Sequence, residues 1–392
     1  MRIYNRLLWV LSVFMFFIAG IVSLPGLVCG GDVEPPPEAV DGSGNPVSTM
    51  KTLDQVEPRI PIPGSTTPIS FFNITQSGSY YLTGDRHASG EGISVAANDV
   101  TIDLNGFSLV GNSGIDSGIH MNGQSNVEIR NGTVRDFNIG IWEEDTDNGK
   151  AHRIINVRVV SNYIGMSIKG SGHLIKDCSA SENSSDGIYT LGPMDGGGCT
   201  VTGNTAYDNS GDGIVVGDRG STVLGNTACG NFGHGIWTDS GCTVNENTAK
   251  KNGIAGIRAS TGCTVANNAV WMNKIGIDAG QASMVIGNTV TYNEEDGIKV
   301  FSGSRVVNNM CYSNGYLTGD GAGIHATSDR NYIEGNTVTL NDRGIDVDED
   351  NNIIVKNCAR NNTTEYDIVA GNKTGTISTD PTTAGPWDNF DY

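Results

Sequence analysis

Apolar residues in this chain come in short alternating groups, each ending at Gly or Asn. The clearest stretches are VTGNTAYDNSGDGIVV (201–216), VLGNTACGNFGHGIWT (223–238), VNENTAKKNGIAGIRA (244–259), VIGNTVTYNEEDGIKV (285–300) and IEGNTVTLNDRGIDV (333–347). In each, a first Asn is followed five residues on by a second, then by Gly-Ile-x-Val or a near variant. The apolar member of the Gly-Ile step recurs at Ile93, Ile119, Ile141, Met166, Ile188, Ile214, Ile236, Ile257, Ile277, Ile298, Ile324 and Ile345, roughly 20–26 residues apart. Ile368 marks a thirteenth. Period-two alternation over three or four positions, punctuated by Gly and Asn, predicts short strands. No helix-length amphipathic pattern interrupts them. One such unit cannot bury its own apolar side, but stacked units can, each hydrogen-bonding to those above and below. The expected fold is an all-β solenoid of about 12–13 coils with a cap at each end.

The repeat also explains the asparagines and cysteines. Asn204, Asn226, Asn247, Asn268, Asn288, Asn309, Asn336 and Asn357 share one turn position. There Asn tolerates left-handed backbone, and its side chains bond along the stack. Cys199, Cys242 and Cys263 lie five residues before that Asn, in a slot that Ser221, Ser283 and Ser304 fill in other coils. This reads as a small inward-facing residue. Cys242 and Cys263 fall on adjacent coils, close enough in register for a disulfide. No histidine is expected in that stack, which argues against a metal there.

Outside the repeat, residues 1–28 read as an export signal: Arg2 and Arg6 precede an apolar run from Leu7 to Leu24. Cys29 raises lipid attachment, but Gly26-Leu27-Val28 before it fits a lipid-attachment site poorly. Residues 29–68 are a Pro, Gly and Ser-rich linker, 69–89 an N-terminal cap, 90–362 the coils, and 363–392 a C-terminal cap closed by Trp387, Phe390 and Tyr392. Insertions break the period at LGPMDGGG (191–198) and GYLTGDGA (315–322). The chain has 392 residues, 54 of them glycine, and a net charge of −19. That balance argues against nucleic acid, whose binding depends on Lys and Arg, and against an anionic membrane surface. A local basic cluster can still meet an acidic polymer. A secreted or periplasmic monomer is expected.

The passage VTIDLNGFSLVG, then NVEIRNGTVRDFNIGI, then the GNT…N…GI units resembles the right-handed parallel β-helix proteins of the pectate-lyase-like superfamily, over roughly residues 70–370. The resemblance implies three strands per coil, with Gly-Ile-x-Val as the first. It also implies an extended polysaccharide partner lying across the outer face of the first strands. The superfamily holds lyases, hydrolases, epimerases and non-enzymatic proteins, so it implies no single reaction. An Asp-Pro-His motif and the polygalacturonase aspartate pattern are missing.

Strand alternation turns the residue after each buried Ile outward. That row reads Ser94, His120, Trp142, Ser167, Tyr189, Val215, Trp237, Arg258, Asp278, Lys299, His325, Asp346. By analogy with β-helix lyases, Arg258 and Lys299 are candidates for base and carboxylate neutraliser, His325 or Tyr189 for the acid, and Asp278 for orienting the cations. Trp142 and Trp237 offer flat faces to sugar rings. Asp186, Asp212, His234 and Asp296 precede the Gly of the first strand. There Asp212 and His234 suggest an acid/base pair, while Asp before Gly is also common turn chemistry. Asp346, Asp348 and Asp350 suggest calcium or, more simply, an acidic turn. The row also reads as a cross-coil charge ladder. The expected function is therefore lyase action on a uronic-acid polymer. Its alternatives are hydrolysis by paired carboxylates such as Asp278 with Asp239, epimerisation, and non-catalytic glycan binding.

Overall fold

The computed structural model describes residues 59–391 apart from 113, 115, 195, 196 and 317–320. The expected signal, Cys29, most of the linker and Tyr392 lie outside the described residues. Within them every regular element is a strand, and all named pairings are parallel. Each coil contributes a first strand to one sheet and second and third strands to another. The first-strand sheet has 14 members, from Phe72–Ile74 to Thr364–Ile368.

The stack is longer at both ends than the repeat suggested. Ile60–Ile62 and Ser65–Ile69 already pair with strands of the next coil, so regular structure begins inside the expected linker. Phe72–Ile74 pairs with Ile93–Val95, which makes the expected N-terminal cap a coil. At the other end Thr364–Ile368 stacks on Arg343–Val347, so the pattern continues past 362. Asn389–Asp391 then closes the third-strand stack against Cys358–Arg360. Trp387 stays exposed, with the Lys356 ammonium 4.3 Å over its ring.

The core is the row of Gly-Ile isoleucines with the inward residues of the other two strands, almost all fully buried. The Gly before each Ile is set by close approach: a Cβ on Gly213 would stand 2.6 Å from Asn231 Nδ2 and 2.7 Å from the Gly235 carbonyl. Both Asn positions are ladders. Asn226 Nδ2 donates to Asn247 Oδ1 at 3.0 Å and to the Val201 carbonyl at 2.9 Å, and Asn247 repeats the pattern on Asn268. The second ladder runs through Asn231, Asn252 and Asn273 in the same way. The left-handed residue is the one before the Asn: Gly203, Gly225, Asn267 and Asn308 carry positive φ, while the ladder asparagines do not.

The cysteine slot departs from expectation. Cys199, Cys242 and Cys263 face inward as free thiols, so no disulfide joins Cys242 to Cys263. Two histidines do share this stack. His152 and His173 occupy the same position on preceding coils, their rings parallel at 4.9 Å, and the His152 backbone N–H donates to His173 Nδ1. Burial, reinforced by His152, drives His173 down to about 3, so it is neutral. Glu143 is fully buried where most other coils place an aliphatic residue, 3.4 Å from His152 Nε2, and accepts the N–H groups of Gly123 and Asp145.

Candidate functional site

Register fixes the outward row. His120 pairs with Trp142, Trp142 with Ser167, Ser167 with Tyr189, Tyr189 with Val215 and Val215 with Trp237. Arg258, Asp278, Lys299, His325 and Asp346 follow without a break. At one strand spacing per coil, neighbours stand about 4.8 Å apart. The loop beginning at Gly192 follows its first strand, and Gly315 and Tyr316 precede theirs, so the two insertions leave opposite edges of this sheet.

The row divides into three groups. In the middle, Arg258 and Asp278 form an ion pair, with the carboxylate buried and the guanidinium half exposed. Lys299, on the next coil, has no side-chain partner among the described residues. Trp237 borders Arg258 on the other side.

Toward the C-terminal end, His325 is gripped from both sides. Its Nδ1 lies 2.9 Å from Asp296, and its Nε2 lies 3.0 Å from Asp348 and 3.9 Å from Asp346. Burial pulls the imidazole down, but the hydrogen bond and charge of Asp296, then Asp348 and Asp346, outweigh it and hold it up at about 9. His325 is therefore an imidazolium at neutral pH. Arg343 also bonds Asp346 at 2.8 Å. Burial raises the Asp346 carboxyl against the pull of His325 and Arg343. Asp350 turns instead toward Asn351. Asp346 and Asp348, two of the three carboxylates expected to gather around calcium, thus face two cations of the chain itself. This donor set makes an ion-pair cluster, not the all-oxygen cage that calcium takes.

Toward the N-terminal end, the Trp142 indole stacks on the His120 ring at 4.2 Å and 15°. His120 sits between Glu91, 3.0 Å from Nδ1, and Glu144, 3.6 Å from Nε2. The outward row includes His120 without giving it a role, and Glu91, two residues before Ile93, goes unmarked in the sequence. Tyr189 stands between this group and the middle one. Burial, then Asp186 and Asp218, raises its phenol, which stays protonated. It is five coils from Lys299, about 24 Å at strand spacing, so it cannot supply the acid for a bond broken at Lys299.

The expected Asp212–His234 acid/base pair is not formed. Asp212 accepts the backbone N–H of His234, Asp186 accepts that of Asp212, and Asp296 accepts that of Ala322. The aspartate before the Gly holds a backbone N–H of the next coil's turn in all three, and Asp296 holds His325 Nδ1 as well. Burial raises Asp186 and Asp212 further. The His234 ring points elsewhere: its Nδ1 accepts the Ala255 N–H, and burial with nearby Arg258 lowers its pKa. It is a neutral imidazole whose remaining N–H is Nε2–H.

The third-strand face carries aromatics that the repeat reading passed over. Lys250 lies 4.2 Å over Trp271, and Tyr292 meets Tyr312 edge-on at 5.5 Å.

The profile of the right-handed β-helix region matches residues 117–270 and 258–381, more than half of the chain. The chain belongs to the right-handed β-helix family. No curated protein sequence matches it. Among solved structures, this β-helix is similar to the A-module of mannuronan C-5 epimerase AlgE4 from Azotobacter vinelandii, at 16% identity and TM-score 0.48, over 76% of this chain and 91% of that one. It is also similar to the catalytic unit of a thermostable GH87 α-1,3-glucanase from Streptomyces thermodiastaticus strain HF3-3, at 12% identity and TM-score 0.41, over 85% of this chain and 62% of that one. The Dettilon tailspike protein matches at 14% identity and TM-score 0.36, over 85% and 61%. At these identities the likeness is one of fold.

Proposed function

We propose that this β-helix acts outside the cytoplasm on an extended polysaccharide laid along the outer face of its first-strand sheet, and that it breaks the chain by β-elimination at a uronic acid. The observation that carries this reading is the order Arg258, Lys299, His325 along the sheet. A half-exposed guanidinium, a lysine with no side-chain partner among the described residues and a protonated imidazole stand in sequence over about 14 Å. β-Elimination needs a neutralised carboxylate, a group to take the proton at carbon 5, and a proton for the departing oxygen at carbon 4. In this reading Arg258, oriented by Asp278, faces the uronate carboxylate, Lys299 takes the proton, and His325 delivers one to the leaving group. Trp237 supplies a sugar platform beside Arg258. The charged row also supports a second reading, non-catalytic glycan binding, because Asp278 already neutralises Arg258.

The test is incubation with alginate, pectate and glycosaminoglycans, read by ultraviolet absorbance of the unsaturated product. Product from one polymer, lost by about a hundredfold or more in a folded Lys299→Ala variant, is the expected result. Binding without product on every uronan establishes the second reading.

A further inference from the structure

The residue two places before each buried Ile stands at the entry edge of the first-strand sheet, and three of these residues reach the outward row of the next coil. Asp296 meets His325 Nδ1 at 2.9 Å, Glu91 meets His120 at 3.0 Å, and Arg343 meets Asp367 at 3.3 Å. Asp296 also accepts the Ala322 N–H at 2.9 Å, so one end of the side chain holds the backbone while the other holds the row.

His234 occupies the same place before Ile236, and the outward residue of its next coil is Arg258. Its backbone half is made as in Asp296: Nδ1 accepts the Ala255 N–H at 3.3 Å. After burial, the Arg258 charge lowers the pKa of the ring and the Asp278 charge opposes it, so both act on the imidazole from nearby.

The Ala255 bond decides what His234 can do. With the Nδ1 lone pair committed, the proton of the neutral ring sits on Nε2. The ring then has no free lone pair with which to take a proton from a sugar, but it has one N–H to donate. The side chain is half-buried, and Nε2 has no hydrogen-bond partner among the described residues. Arg258 spends NH1 on Asp278 and has no other side-chain partner among them. A neutral and a charged donor side by side suit the two oxygens of one carboxylate. Asp278 cancels the charge of Arg258, so charge alone does not single out a uronate there. A second directed donor does, because a sugar lacking the carboxylate leaves it unpaired.

We infer that His234 Nε2–H is the second donor to the uronate carboxylate at Arg258, and that the two together select a uronate at this point of the row. The inference rests on the polysaccharide reading above and deepens it by naming a residue that reads the substrate's carboxylate.

The experiment is calorimetric titration of the whole protein with oligogalacturonate and oligomannuronate, each beside its methyl ester, which keeps the sugar but removes the charge. His234→Leu removes the donor. His234→Gln keeps it, since Gln offers an acceptor to Ala255 and an N–H beyond. His234→Leu is expected to weaken the acid that the parent binds by about tenfold or more, and to leave its ester within about twofold. His234→Gln is expected to restore most of the loss. Equal binding of the acid by parent and folded His234→Leu overturns the inference. So does an equal loss for acid and ester, which marks a role in shape alone, and so does a folded His234→Gln as weak as His234→Leu. A parent that binds neither acid removes the polysaccharide reading itself, and the inference with it.

Discussion

His120 and His325 are held by the same geometry nine coils apart, about 43 Å along one row. In each case Nδ1 meets a carboxylate two residues before the preceding coil's buried Ile: Glu91 for His120, Asp296 for His325. In each case Nε2 faces a carboxylate three residues after the next coil's Ile: Glu144 and Asp348. The two arrangements differ at the neighbour in register, Trp142 in one and Asp346 in the other. One scaffold therefore carries an aromatic platform at one end and a fixed positive charge at the other.

The His325 cluster makes stability depend on pH with a definite sign. Its folded pKa, about 9, lies above the ordinary value of 6.5. The stabilisation is complete below pH 6.5 and is lost as pH rises through about 9. At one pH unit per 1.4 kcal/mol, the cluster contributes at most roughly 3 kcal/mol. His325→Gln is expected to lower urea stability at pH 6 and to converge with the parent above pH 9. Parallel curves for the two proteins across that range contradict the assignment.

The interior histidines predict the opposite trend. His173 is neutral when folded, with its pKa depressed to about 3. Protonation of the unfolded chain thus drains stability as pH falls below 6.5, until the folded group itself titrates near 3. His173→Asn, which places a ladder-compatible amide in the slot that Asn331 and Asn352 fill lower in the stack, is expected to flatten the loss between pH 6 and 4. Equal acid sensitivity in parent and variant shows that other groups dominate it.

The Asn ladders predict a position-dependent cost. Asn247 donates to the Val223 and Asn245 carbonyls and to Asn268, and accepts from Asn226. Asn247→Ala strands buried partners on two coils, at about 1–3 kcal/mol for each unsatisfied group. A loss of about 3 kcal/mol or more in denaturant unfolding is expected, against less than about 0.5 for an exposed neighbour such as Lys251→Ala. Equal effects at both positions rule out the ladder as a main stabiliser.

Much of this architecture is legible in the sequence because a solenoid writes its register into its period. The Gly-Ile step marks the inward face, so Lys299 and His325 fall into line by counting from Ile298 and Ile324. The chain before residue 90 lacks that step, so its coils pass for linker and cap. His152 and His173 escape notice because the cysteine slot is counted back from a turn Asn, and their coils lack the Asn-Thr that signals it. Alternation tells which way Asp212 leaves the backbone but not what it bonds, and its partner is the His234 N–H, not the ring. The His325 clamp draws on three coils at offsets of −2, +1 and +3 from each Ile, a pattern visible only once the coils are stacked.

The face that meets the polymer is the claim on which the rest depends, and the third-strand aromatics Trp271, Tyr292 and Tyr312 offer a rival surface. A crystal structure with a bound oligouronate decides between them. Sugar rings running along the first-strand row, with a uronate carboxylate at Arg258 and a glycosidic oxygen near His325, are the predicted result. Sugar lying across Trp271 and Tyr292, with the first-strand row bare, contradicts the account.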